Sequence, residues 1–367
     1  MVERRMALWA ETLVEYSFEV RAGQEVAITG GTAAAPLLQA LYRAVLAKGA
    51  HPTLIPSLPG TMADLLTLGS DEQLQYLSPA DRFAREHADA LVNVLAETNT
   101  RALSAIDPAR QRVLQKGRAP LLEAMMRRTA GGSFRWVLTM FPTDAYAMDA
   151  DLPTDAFAEF VMDACKLNET DPAAAWKSQS AEQARLIGWL EGKRHVHLRA
   201  EWTDLRLSVE GRRWTNADGS RNLPDGEIFT GPVEDSVEGS IRFSFPIVTQ
   251  GREVHDIRLK FERGRVVDAS AARNERFLLD TLDTDEGVRR LGEFAFGTNF
   301  GIQRFSKNIL FDEKIGGTLH MAVGAGYPDT GSENRSAVHW NMICDLREGG
   351  EVDVDGQPFM RAGRFVV

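Results

Sequence analysis

Cysteine is nearly absent. Only Cys165 and Cys344 occur in 367 residues, too few for a disulfide framework or a cysteine-ligated zinc site, and each reads as a small buried apolar residue. Positive charge is also in deficit. Lys and Arg number 42 against 52 Asp and Glu, for a net charge of -10, so the chain has no broad attraction for phosphate backbones or anionic lipid, and neither nucleic acid nor a membrane surface is an expected partner. No apolar run approaches the roughly 20 residues that cross a bilayer. The N-terminal MVERRMALWAETLVEYSFEV places charges where a signal peptide would be apolar, so the expected location is the cytoplasm. Internal repeats and low-complexity segments are missing too. What remains is 44% hydrophobic and 26% charged, an ordinary globular composition at a length that suggests two domains.

The first half reads as an α/β domain with a mostly parallel open sheet. Met6, Trp9, Leu13 and Tyr16 are spaced by three and four, one stripe of an amphipathic helix. QEVAIT reads as a buried strand, after which the chain is expected to turn on Gly30 and Gly31 and enter a helix from about Thr32 to Gly49. Further strands are expected in HPTLIPSL, ADALVNVLAE and FRWVLTMF, with helical LLEAMMRRTA between them. The double glycine lacks the spacing of a dinucleotide-binding turn, and no acidic ribose ligand follows. DAFAEFVMDACKL and DPAAAWKSQSAEQARLIGWLEG form a connecting helix pair, the second opening on Asp171 as N-cap with Pro172 at the first helical position. From residue 194 onward, alternating segments such as HVHLRAE, TDLRLSVEG and RVVDASA give a second, strand-rich α+β domain, with one helical stretch from about Glu275 to Phe296. The expected division is therefore 1–193 and 194–367.

Most histidines read as structural. His195 and His197 share one face of a strand but have no carboxylate near them in sequence, and His51, His87 and His255 lie in proline-flanked or charged surroundings. His320 and His339 are different. His320 lies in FDEKIGGTLHMAVGAGYPDTG, a glycine-flanked strand, and His339 in SENRSAVHWNMICDLR, where alternation puts His339 and Asn341 on the same face, able to grip one cation or a pair. Glu227 in NLPDGEIFTGP stands between a glycine turn and a strand start, and Glu293 in RRLGEFAFG stands among apolar neighbours on a helix or its end. A carboxylate in an apolar run is costly unless it is paired or bound to a cation, which makes both ligand candidates.

Taken in order, NLPDGEIFTGP, LGE, FDEKIGGTLHMAVGAGYP and SENRSAVHW resemble the motifs of the thermophilic, M29-type metallo-aminopeptidases, and the similarity extends to FPTDAYAMDADLPTDAFAEF and VDGQPFMRAGRF. The resemblance implies a C-terminal domain carrying a two-metal centre ligated by Glu227, Glu293, His320 and His339, with Glu293 bridging. The N-terminal domain would shape the cavity, and Tyr327 would be the catalytic tyrosine. It further implies two divalent ions (zinc, cobalt or manganese), short peptides with a free N-terminus as substrates, and a homodimer. The chemistry agrees with these residue types. Two cations about 3.5–4 Å apart bind an α-amine and its carbonyl and generate a nucleophile from water, and a tyrosine hydroxyl can donate to the oxyanion that forms.

One position departs from the pattern. The family usually reads H-x-D where this chain has His339-Trp340-Asn341. An amide oxygen can still coordinate but brings no charge, so the expectation is a weaker second site or a single-ion centre. Asp345 cannot substitute, because four residues of extended strand carry it about 13 Å away. Two alternatives stay open: a homologue that binds metal or peptide but has lost catalysis through Asn341, and an Fe(II)-dependent dihydroxypyridine ring-cleaving dioxygenase of the same fold. The iron triad of the second needs the carboxylate that Asn341 removes.

Overall fold

The computed structural model describes residues 2–249 and 252–367. The chain forms two compact units, Met1–Ala175 with Gly219–Pro224, and Trp176–Asp218 with Asp225–Val367. This division differs from the expected one at residue 193. The helix Pro172–Leu190, which reads as a connector, buries Leu186 and Leu190 in the core of the second unit, and a short later segment returns to the first.

In the first unit five parallel strands run in the order His51–Ser57, Glu25–Gly31, Ala90–Leu95, Arg135–Met140 and Asn222–Leu223. The last of these is the returning segment, too short to be recognised from its sequence. Val26, Ala27, Ile28, Leu91 and Val92 are buried, the near-continuous apolar runs of a parallel sheet covered on both faces. The double glycine is not a turn. Gly30 and Gly31 end the first strand in extended conformation, and the chain turns at Thr32–Ala34 before the helix Ala35–Ala47. Glycine is needed there because a Cβ would come within 2.8 Å of the Val94 carbonyl at one position and 2.9 Å of the Ala96 carbonyl at the other.

The second unit holds an eight-stranded sheet and a five-stranded sheet, both antiparallel. The smaller one positions the chemistry. Its order is His339–Asp345, Thr318–Gly324, Leu291–Gly297, Glu227–Thr230 and Thr215–Ala217. The helix expected from Glu275 to Phe296 ends at Leu282, and Glu293 lies on a strand. The sequence carries the reason: Phe294 and Phe296 alternate with Glu293, Ala295 and Gly297, a period of two that the short helix upstream obscured.

That alternation gives the small sheet two unlike faces. Ile228, Phe294, Phe296, Leu319, Met321, Val323, Trp340, Met342 and Cys344 fill one and join the core of the unit. The other carries Glu227, Glu293, His320, His339 and Asn341, separated by Ala295, Gly297 and Ala322. The register aligns Asn341 with Ala322 and Ala322 with Glu293, His320 with Ala295, and Glu227 with Gly297. Small residues therefore stand between the polar ones and leave room above the sheet.

Candidate metal centre

Glu227 opens its strand directly after Gly226, whose φ of +120° and lack of a side chain are both required, since a Cβ there would lie 2.7 Å from Asn299 Cβ. The buried Gln183 fixes the backbone at this point. Its Nε2 donates to the Glu227 carbonyl at 3.0 Å and to Asn216 Oδ1 at 2.5 Å, while its Oε1 accepts from Thr298 Oγ1 at 3.0 Å.

Glu227, Glu293 and His320 converge, with one potential ligand atom from each lying within 4.8 Å of the others. His320 Nε2 lies 3.6 Å from Glu227 Oε2 and 3.8 Å from Glu293 Oε1, and His339 Nε2 lies 3.2 Å from Glu293 Oε2. Glu293 thus presents one oxygen to each histidine. Both imidazoles are oriented from behind: His320 Nδ1 donates to the Glu313 carbonyl at 2.9 Å and His339 Nδ1 to the Ala325 carbonyl at 2.7 Å, leaving Nε2 of each as the inward-facing atom.

Glu227 Oε2, Glu293 Oε2, His320 Nε2 and Asn341 Oδ1 are buried without a hydrogen-bond partner. An unsatisfied buried polar atom costs on the order of 1–3 kcal/mol, and more when charged. A divalent cation would satisfy the oxygens and the imidazole nitrogen at once, and the mixed oxygen and nitrogen donor set fits one. The residues present fit a metal centre.

Charge at the site points the same way. Burial pushes the Glu227 carboxyl up to about 8, an effect that the nearby Lys314 only partly offsets. Glu293 is equally buried, yet the facing His320 and His339 hold it down to about 2. His320, despite its burial, is raised to about 9 by Glu293 and Glu227. In the metal-free protein the ligand set therefore holds protons at neutral pH that a cation would displace.

His339 and Tyr327 form the open rim. Tyr327 stands at the turn Pro328–Thr330, is 42% exposed, and packs its ring 5.2 Å from His339 and 5.3 Å from Phe229. Burial of its hydroxyl end, reinforced by the negative charge of Glu293, Glu227 and Glu313, keeps the phenol protonated well above its ordinary range.

The other histidines lie elsewhere. His197 Nε2 is 2.8 Å from Asp204, a carboxylate seven residues on that the fold brings alongside, and His255 Nε2 is 3.2 Å from Glu253. Asp345 is paired with Arg347 at 2.7 Å and takes no part. Cys165 and Cys344 are both buried, and neither is in a disulfide. Two residues at the centre were not singled out from the sequence. Glu313 contacts Asn341, its Oε2 accepting from Nδ2 at 2.9 Å, and Lys314, wholly buried, is paired with Glu313. The sequence signal was a lysine set directly before the apolar and glycine run IGGTLHMAV, where a buried charge demands a partner.

The chain is similar to known proteins along nearly its whole length. The model of the thermophilic metalloprotease (M29) family matches residues 2–365. Aminopeptidase T of Thermus thermophilus is 29% identical over all of this chain and 99% of its own length, and aminopeptidase 2 of Geobacillus stearothermophilus is 28% identical over 99% of this chain and 98% of its own. The solved structure of wild-type AmpT from Thermus thermophilus superposes with a TM-score of 0.86 at 26% identity, covering both chains in full. A 2,5-dihydroxypyridine dioxygenase from Pseudomonas putida KT2440 shares the fold, with a TM-score of 0.59 at 16% identity over all of this chain and 98% of its own.

Proposed function

The chain belongs to the thermophilic metalloprotease (M29) family and is a metal-dependent aminopeptidase; on that premise we propose that it removes N-terminal residues from short peptides at a two-ion centre held by Glu227, Glu293, His320, His339 and Asn341. The observation that carries this reading is the group of four orphaned buried atoms on one sheet face.

Divalent cations bound there would supply Lewis acidity, polarising the scissile carbonyl and making water acidic enough to attack near neutral pH. The protein's own residues do the rest. Glu293, with one oxygen toward His320 and the other toward His339, would be shared between the ions. Glu227 and His320 would hold one ion, and His339 and Asn341 would hold the other. Tyr327, on the rim with its hydroxyl protonated, donates a hydrogen bond to the oxyanion as the carbonyl becomes tetrahedral. The preference for a free N-terminus follows from the same chemistry, since an unblocked α-amine is a ligand that a bound divalent cation would take and an N-blocked substrate lacks it. Zinc, cobalt or manganese are the ions that the family resemblance implies. A homodimer and a cytoplasmic location complete the reading; among the described residues no helix is long and apolar enough to cross a membrane.

The test is to strip the protein with a chelator, restore Zn, Co, Mn or Fe(II) in turn, and assay aminoacyl chromogenic substrates with free and blocked amines. Metal-restored release from the free-amine series alone is expected. A folded protein inactive with every ion would instead favour a homologue that has lost catalysis, and turnover of dihydroxypyridine with Fe(II) would favour the dioxygenase.

A further inference from the structure

Glu313 belongs to none of the site strands. It lies just after the short helix Ile309–Asp312, yet three groups at the centre end on it. Its backbone carbonyl accepts from His320 Nδ1 at 2.9 Å, its Oε2 accepts from Asn341 Nδ2 at 2.9 Å, and its Oε1 accepts from Lys314 Nζ. A carboxylate only accepts, so the atom of Asn341 that meets it is the NH2 group. This fixes the amide by chemistry and turns Oδ1 to a buried position where no protein group meets it. Lys314 is fully buried, with Glu227, Glu313 and Asp225 as its counter-charges, and so anchors Glu313 from the side away from Asn341.

We propose that Glu313 is a positioning residue of the centre: it holds Asn341 with the oxygen, not the NH2, toward the ions, so that a neutral amide serves as the ligand where the family usually places an aspartate. The inference rests on reading this sheet face as a metal centre. It also accounts for asparagine at position 341. An aspartate in the same place would set one carboxylate oxygen 2.9 Å from another in a largely buried environment, a contact that repels unless a cation or proton intervenes. With asparagine, the charge sits one residue behind the ligand and is matched by Lys314.

The test is Glu313→Gln in two backgrounds, read by titrating the chelator-stripped protein with Co(II) against a chromophoric chelator. In the wild-type background the new amide can donate to Asn341 Oδ1 and release it to turn its NH2 inward. One of two Co(II) equivalents is then expected to weaken by about 10- to 100-fold, the range for loss of a group that orients a ligand, while the other is unchanged. In the Asn341→Asp background the same substitution replaces repulsion with a hydrogen bond, so that equivalent is expected to tighten. A reversal of sign is the signature. Equal weakening of both equivalents, or the same direction in both backgrounds, overturns the proposal and leaves Glu313 merely structural. A wild-type protein that binds no Co(II) overturns the metal-centre reading itself, which separates the two failures. Should Glu313→Gln not fold, Asn341→Asp alone decides: its melting temperature in chelator is expected below wild type and its gain on adding Co(II) larger, and equal gains contradict the proposal.

Discussion

The two faces of the small antiparallel sheet are made by the same strands and differ only in the parity of the residue. On one face Phe294, Phe296, Met321 and Met342 are closely packed in a core; on the other, Glu293, His320 and Asn341 stand over alanines and glycine with polar atoms left unpaired. The difference teaches how a site can be buried and still be built. Apolar burial at about 25 cal/mol per Å² on the first face offsets the desolvation imposed on the second, and the strand pleat keeps the two functions from competing for the same positions.

The comparison can be broken most severely from the site face. Glu293→Ala removes the one side chain that faces both histidines, and activity is expected to fall by at least about 10³-fold with loss of bound metal by elemental analysis; retained stoichiometric metal would refute the bridging role. From the core face, Phe296→Ala is expected to cost about 3–5 kcal/mol in denaturant unfolding, with metal affinity of the folded protein unchanged. Tyr327→Phe sits between these extremes. It should keep its metal and lose about 10²–10³ in kcat, the usual effect of removing one oxyanion donor, and a full-length drop in metal content instead would make the tyrosine a ligand or a packing group.

A pH titration sharpens the contrast with a smaller effect. Glu227, raised from 4.5 to about 8, is protonated in the folded metal-free protein and ionised in the unfolded chain between those values, so stability falls as pH rises across that window. His320, raised from 6.5 to about 9, contributes stability that is complete below 6.5 and lost as pH rises through 9. Both signs agree. The melting temperature in chelator should decline from about pH 6 to 9, while saturating metal, which binds the deprotonated ligands and gains affinity over the same range, should flatten or reverse the decline. Glu227→Gln should remove the lower part of the slope in chelator. A metal-free melting temperature that rises with pH would contradict the charge assignment.

Much of this architecture is legible in the chain. Period-two alternation locates the strand of His339 and flanking glycines that of His320, and the first four strands of the first unit follow from short apolar runs ended by glycine or polar residues. The misreadings have local causes. Glu293 was placed on a helix or its end because the true helix Glu275–Leu282 precedes its strand by only a few residues, and both are apolar on one side. Gly30 and Gly31 resembled a turn because the demand for glycine there comes from Val94 and Ala96, more than 60 residues away in sequence and invisible to any local pattern. The contact of Glu313 with Asn341 likewise spans 28 residues. The sequence could mark both residues as polar, but only the fold, which sets the end of the helix Ile309–Asp312 over the strand of Asn341, brings one against the other.

The most direct measurement is anomalous diffraction, at the zinc or cobalt edge, from crystals of the metal-reconstituted protein. The account predicts peaks above the face that carries Glu227, Glu293 and His320, at about 2.0–2.2 Å from their inward oxygen and nitrogen atoms, with Asn341 Oδ1 rather than Nδ2 turned toward one of them. Reconstituted crystals with no peak on that face, or with metal bound only at surface carboxylates, would contradict it.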